Sequence, residues 1–95
     1  MFTSSLLFSN LGSVNDISVA CNELIFLATN EYNNAIMKLD LETQQYEIIT
    51  NSHSETIYHI TVDYISIPEW NHTRIAYSSF NYVYFWERNE VSGNI

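Results

Sequence analysis

The sequence predicts an all-β protein built from antiparallel sheets, and three observations support this prediction. The chain has 95 residues, of which 46% are hydrophobic and 15% aromatic, and it is rich in the β-branched and aromatic residues that favour strands. Apolar and polar residues alternate over short runs, which is the periodicity of strands. Polar segments containing Asn separate these runs, in a chain with only two Gly and one Pro.

The first half of the chain, residues 14–50, is predicted to form four strands joined by short turns. Its second run, Leu24 to Thr29, is apolar almost throughout and too short for a helix, so we expect a strand buried on both faces. The pair Asn33-Asn34 indicates a hairpin turn. Residues 1–13 precede this unit as a lead-in with a short expected strand at 4–9. The four predicted strands are residues 14–20, 24–29, 35–40 and 46–50.

The second half, residues 51–95, repeats this order with a longer loop and an incomplete fourth strand. The loop contains Pro68, which favours a break between strands. The polar end, 88–95, is expected to be a frayed tail or the start of a fourth strand. The predicted elements are a strand at 56–62, a loop at 63–73, a strand at 74–79, a turn at 80–81 and a strand at 82–87.

The two halves match in order, and a repeat of about 40 to 50 residues with four strands per unit is typical of a β-propeller blade. We therefore expect two blades, 14–50 and 51–95, of a partial propeller. Two blades cannot close a ring, because propellers have about four to eight. The chain is then expected to be a fragment of a longer propeller or a part that assembles with other copies or chains. The alternative is a small independent β-sandwich or barrel.

Residues 14–87 resemble the WD40 repeat, most clearly in the second unit. Ser52-His53 stands where that family has Gly-His, Asn81 stands at the turn Asp, and Trp86-Glu87 stands at the closing Trp-Asp. In the first unit Leu39-Asp40 takes the Trp-Asp place. The resemblance implies a structural set of hydrogen bonds, in which Trp86 donates to Ser79 and His53 bridges Ser79 and Asn81. It also implies a non-catalytic scaffold that acts as a subunit of a larger complex.

The net charge of −8, from three basic and eleven acidic residues, argues against direct binding of nucleic acid or of an anionic membrane. Phosphate neutralisation needs clustered Lys and Arg, and three such residues cannot supply a cluster. The acidic balance is typical of a solvated surface, and it also suits a basic peptide as partner. We expect other proteins, basic peptides or the remaining propeller blades as partners, with self-association when these are absent.

No pattern in the chain indicates an enzyme, a cofactor or a metal site. His53, His59 and His72 lack metal-ligand spacing, and the sequence contains no Gly-rich phosphate loop and no G-x-S-x-G motif. Cys21 is expected to be a small buried residue. A single cysteine and the lack of a signal peptide favour an intracellular location, cytoplasmic or nuclear.

The predicted loop at 63–73 holds the candidate partner-binding residues, Glu69, Trp70 and His72. An exposed Trp beside charged groups is the type of residue that dominates binding energy at interfaces. The alternative is that Trp70 covers the edge of the core. For a sandwich or barrel, the corresponding alternative function is binding of a ligand or peptide through an aromatic face. The strand at 82–87 has apolar residues on both faces, which favours a position between packed sheets.

Overall fold

The structure, a computed structural model, describes residues 4–6, 8–21 and 24–91, and within them it confirms the all-β prediction. A four-stranded sheet A has the order β1-β2-β3-β4, and a three-stranded sheet B has the order β5-β6-β7, with every pairing antiparallel. The elements are β1 (Val14–Cys21), β2 (Leu24–Thr29), a single helical turn α1 (Glu31–Asn34), β3 (Ala35–Asp40), β4 (Gln45–Thr50), β5 (His59–Ile67), β6 (Trp70–Ser78) and β7 (Val83–Val91).

The four strands predicted for the first half are confirmed, with bounds that differ by at most one residue. The turn between β2 and β3 is α1, in which Tyr32, Asn33 and Asn34 all have positive φ, between 55° and 62°. Asn tolerates this left-handed conformation better than most other residues, so the Asn pair accounts for the turn. The backbone N–H of His53 donates to the Asn33 carbonyl at 2.9 Å, and Asn34 Nδ2 donates to the His53 carbonyl at 2.9 Å. The turn therefore anchors the segment that leads to sheet B.

The expected strand at 4–9 is wrong for its described residues, which lie outside any strand, while Leu7 lies outside the described residues. Phe8 and Leu11 instead pack on the face of sheet A that points away from sheet B. The lead-in is fixed by Thr29 Oγ1, which donates to the Leu11 carbonyl at 2.6 Å. Gly12 has φ +78°, a left-handed conformation that glycine adopts without steric cost, and a Cβ there would contact the side chain of Glu31.

The predicted loop at 63–73 is also wrong. β5 runs on to Ile67 and β6 begins at Trp70, so the two strands form a long hairpin with Pro68 and Glu69 in its turn. A proline lacks an N–H to pair, and a turn accommodates it without the loss of a ladder hydrogen bond. The prediction of a frayed tail or a fourth strand from residue 88 onward is corrected as well, because residues 88–91 continue the third strand of this sheet, β7, to Val91. Within residues 24–91 no fourth strand joins sheet B.

The core lies between the two sheets. It is formed by alternate residues of the facing strands, and Asp16 Oδ2 in β1 accepts a hydrogen bond from the N–H of Ile60 in β5 at 2.8 Å. This bond brings the first strands of the two sheets side by side. A second, smaller buried cluster lies on the opposite face of sheet A, under Phe8 and Leu11. The core residues between the sheets are Leu24, Phe26, Ala28, Ile36, Ile57, Ile60, Ile75 and Tyr77.

Candidate interaction sites

The face of sheet B that points away from sheet A, here called the outer face of sheet B, carries exposed apolar side chains. Because side chains alternate along a strand, the inward positions Ile75 and Tyr77 leave Arg74 and Ala76 on this outer face. Arg74 lies between Asp63 (3.9 Å) and Glu87 (3.7 Å) and 5.6 Å from the ring centre of Phe85. Around this charged centre the exposed apolar residues are Ile65, Ile67, Val83, Phe85 and Val91.

The outer face of sheet A, which points away from sheet B, is apolar in the same way. The lead-in covers its middle, where Leu27 and Met37 are buried. Its margins stay uncovered by the described residues, and Val19 in β1 is 67% exposed. The exposed apolar residues on β1 and β4 are Val14, Ile17, Val19, Tyr46 and Ile48. Both sheets therefore present apolar outer faces.

The predicted partner-binding residues Glu69, Trp70 and His72 lie together at the end of the β5–β6 hairpin. Trp70 and His72 are half-buried strand residues of β6, with ring centres 5.2 Å apart, and Glu69 is exposed in the turn. Trp70 Nε1 donates to Asn89 Oδ1, and His72 Nε2 lies 2.7 Å from Glu87 Oε2. These side chains are held against β7, so they form part of the outer face of sheet B rather than a free loop.

The turn between β6 and β7 is held by Glu55, a residue that the sequence did not point to. Its Oε1 accepts hydrogen bonds from Ser79 Oγ (2.7 Å) and the Asn81 backbone N–H (3.2 Å), and its Oε2 accepts one from Asn81 Nδ2 (2.7 Å). These bonds hold the pKa of the Glu55 carboxyl below its ordinary value, with Asn81 the largest contributor and Ser79 the next. Glu55 thus bridges Ser79 and Asn81, whereas the WD40 resemblance implies that His53 does so.

His53 is a structural residue of the inter-sheet space. Its Nε2 lies 3.2 Å from the Tyr77 hydroxyl, and its ring centre lies 4.8 Å from that of Tyr84. Tyr77 and Tyr84 stack on each other with centres 5.0 Å apart. Burial lowers the pKa of His53 and raises the pKa of Tyr77. The arrangement favours a neutral imidazole packed among tyrosines.

Trp86 packs against the core between the sheets, far from the turn that it was expected to fix. Trp86 pairs with Ile75, whereas Ser79 follows the end of β6, four residues further along. At about 3.3 Å per residue this separates the two by roughly 13 Å, and within residues 24–91 no hydrogen bond joins them. Their contact in the WD40 pattern is therefore not reproduced by this register.

Arg88 connects the two sheets on the inner side. Its Nη1 and Nη2 donate to the two carboxylate oxygens of Glu47 in β4, both at 3.1 Å, and its guanidinium carbon lies 5.2 Å from the ring centre of Trp86. Lys38 Nζ adds a contact to Glu47 at 3.5 Å. The hydrogen bonds from Arg88 hold the pKa of the Glu47 carboxyl below its ordinary value. Arg88 and Glu47 are 41 residues apart, and no local pattern could have predicted the pair.

An open groove of about 610 Å³ lies at the end of the molecule where β5 begins and β6 ends. We call it the loop-end groove. Phe80 in its wall is 85% exposed and Tyr58 is 47% exposed. The residues that line it are Asn15, Tyr58, His59, Ser79 and Phe80.

The described residues hold no group of three or more His, Cys, Asp or Glu side chains that could bind a metal ion. Cys21 is exposed at the end of β1, which corrects the expectation of a buried residue, because β1 is an edge strand whose final position has little cover. No helix in the part of the chain that the structure describes is long and apolar enough to span a membrane. Comparisons with protein-family models, curated proteins and solved structures find no match to this chain.

Proposed function

We propose that this chain is a non-catalytic protein–protein interaction module whose two sheets act as neighbouring WD40-like blades and pack against further sheets. The observation that carries the proposal is the pair of apolar outer faces. Phe85 (58% exposed) and Val83 (85% exposed) on sheet B have counterparts in Ile17 and Val19 on sheet A. Large exposed apolar patches are typical of contact surfaces, because covering them removes apolar area from water.

The arrangement of the sheets supports the same proposal. Each sheet is an up-and-down meander, and their first strands, β1 and β5, lie side by side through the bond between Asp16 and Ile60. Propeller blades are antiparallel sheets that repeat side by side around a central channel, and two neighbouring meanders fit such a repeat. The covering sheets would come from further copies of this chain or from other proteins of a complex. An intracellular setting suits this role, because the single, exposed Cys21 stays reduced there.

The aromatic residues give little support to the alternative of a sandwich that binds a ligand through an aromatic face. Tyr84 and Trp86 point inward and are half-buried among His53, Tyr77 and Arg88. Their faces are therefore already occupied by side chains of this chain. Within the described strands, the exposed large apolar residues lie on the outer faces.

The proposal is tested by substitution of Phe85, the exposed aromatic residue on the outer face of sheet B. Phe85→Ala should weaken self-association by about fivefold or more, which corresponds to the loss of about 1 kcal/mol that distinguishes an energetically important interface residue. Sedimentation equilibrium of the full chain measures the dissociation constant. The matched control is Phe80→Ala, which removes an exposed phenylalanine that lies off both outer faces and should leave the constant unchanged.

Equal dissociation constants for the unmodified chain and Phe85→Ala would contradict the assignment of this face. The same holds if Phe80→Ala weakens association as much as Phe85→Ala does. Thermal unfolding of both variants checks that the fold is retained, which is expected because both side chains are exposed.

A further inference from the structure

The loop-end groove combines exposed aromatic rings with an absence of Lys and Arg side chains. Its volume is about 610 Å³, and it is open to solvent. Phe80 stands in its wall with 85% of its surface exposed, so core packing does not account for its position. Tyr58 adds a second partly exposed ring. The groove therefore offers aromatic surface to a ligand.

The Lys and Arg side chains of the chain all lie elsewhere and are already paired. Lys38 and Arg88 both contact Glu47, and Arg74 lies between Asp63 and Glu87. Arg74 precedes the end of β6 by four residues, about 13 Å at strand spacing, which exceeds the screening length of about 8 Å at physiological salt. The segments around the groove, residues 11–16, 50–60 and 76–84, contain neither Lys nor Arg.

Two carboxylates beside the groove are held by neutral hydrogen-bond donors alone. Glu55 accepts its bonds from Ser79, which lines the groove, and from Asn81. Asp16, next to Asn15 in the chain, accepts bonds from the backbone N–H groups of Ile17 and Ile60. These bonds fix the carboxylates in place without cancelling their charge. The lowered pKa of Glu55 keeps it ionised at neutral pH.

We propose that the loop-end groove binds an arginine side chain of an extended peptide segment from a partner protein. The guanidinium would lie against the rings of Phe80 and Tyr58, with the carboxylate of Glu55 beside them. Aromatic faces attract cations, and guanidinium stacks on aromatic rings more readily than ammonium does. The net charge of −8 supports the approach of such a segment. This site is separate from the outer faces of the sheets and does not depend on them.

The test is a titration of the ¹⁵N-labelled 95-residue chain with the peptide acetyl-Gly-Arg-Ala-Arg-Gly-amide, followed by amide chemical shifts. We expect saturable shifts that centre on Tyr58, Ser79 and Phe80. Phe80→Ala should weaken binding by about two- to fivefold, the range for a cation–π contact at an exposed site. Glu55→Gln, which removes the charge and keeps the shape, should also weaken it. The same peptide with citrulline for arginine, which is neutral and nearly isosteric, should bind at least several-fold more weakly.

Phe85→Ala is the matched control, since it removes an exposed phenylalanine from the outer face of sheet B and should leave peptide affinity unchanged. The proposal is overturned if no shift saturates up to about 5 mM peptide, a limit that corresponds to negligible affinity. It is equally overturned if the citrulline peptide binds as well as the arginine peptide, or if the shifts map to an outer face. Because Phe80→Ala should affect only peptide binding and Phe85→Ala only self-association, failure of one proposal is distinguishable from failure of the other.

Discussion

Glu55 shows how one side chain can fix a turn that the sequence assigns to other residues. The WD40 resemblance implies that His53 and Trp86 form hydrogen bonds with Ser79. In the structure the carboxylate of Glu55 accepts the hydrogen bond from Ser79, and Asn81 donates to both carboxylate oxygens. A carboxylate accepts several hydrogen bonds at once, and bonds to a charged acceptor are stronger than bonds to a neutral one. With Glu55 in this role, His53 is free to pack among the tyrosines between the sheets.

The burial of His53 predicts that the stability of the chain falls in mild acid. Burial lowers the pKa of His53 below 6.5, its ordinary value, so below that pH the unfolded chain binds a proton that the folded chain does not yet bind. The contribution of His53 to the free energy of unfolding is therefore fully present above about pH 6.5 and is lost as the pH falls through the folded-state pKa. Urea unfolding at a fixed protein concentration, at pH values from about 7.5 down to about 5.5, measures this fall.

His53→Gln is the control, because glutamine keeps a polar side chain of similar reach and does not titrate. Its free energy of unfolding should change less over the same pH range. A free energy that stays constant or rises in the unmodified chain as the pH falls would contradict this account, as would an equal fall in His53→Gln.

At the scale of elements, β7 and β4 are tied together by the paired hydrogen bonds between Arg88 and Glu47. This contact joins the strands of the two sheets furthest from the β1–β5 junction. Arg88→Lys keeps the positive charge and loses the bidentate hydrogen bonds to Glu47, so it should lower the free energy of unfolding by about 1 kcal/mol. Urea unfolding at constant protein concentration provides the measurement.

Arg74→Lys is the matched substitution on the outer face of sheet B, where the contacts of Arg74 are longer, 3.7 and 3.9 Å, and its side chain is half exposed. It should cost less than about 0.5 kcal/mol, as is usual for exposed ion pairs. If Arg74→Lys proves as costly as Arg88→Lys, then Arg88 has no special role in holding the sheets together.

The elements of sheet A could be predicted from the sequence because each depends on local signals. Its alternating runs and the Asn33-Asn34 turn define strands that pair with their neighbours in the chain. The hairpin of β5 and β6 could not be predicted in this way, because Asp63 and Thr73 are typical loop residues by sequence. Their place in strands depends on the pairing of Asp63 with Arg74 and of Thr73 with Tyr64. The bond from Ser79 to Glu55 spans 24 residues, so it too depends on the assembled sheets.

At the scale of the whole molecule, the two sheets bury one shared core, and the described residues leave the outer face of sheet B and the margins of the outer face of sheet A without cover. The radius of gyration is 14.1 Å, against about 12 Å expected for a compact domain of this length. The molecule measures 41 × 38 × 21 Å, so it is thin in one direction. A thin molecule with apolar outer faces and an edge strand, β7, offers surfaces to which further sheets or strands can be added.

The central claim, that these outer faces are contact surfaces, is tested most directly by the mass of the unmodified chain in solution. Sedimentation velocity from about 5 to about 500 µM covers the range in which contacts of moderate strength form. We predict that the weight-average mass rises with concentration above the 11.1 kDa of one chain. A single 11.1 kDa species at every concentration, with cooperative unfolding, would contradict the claim.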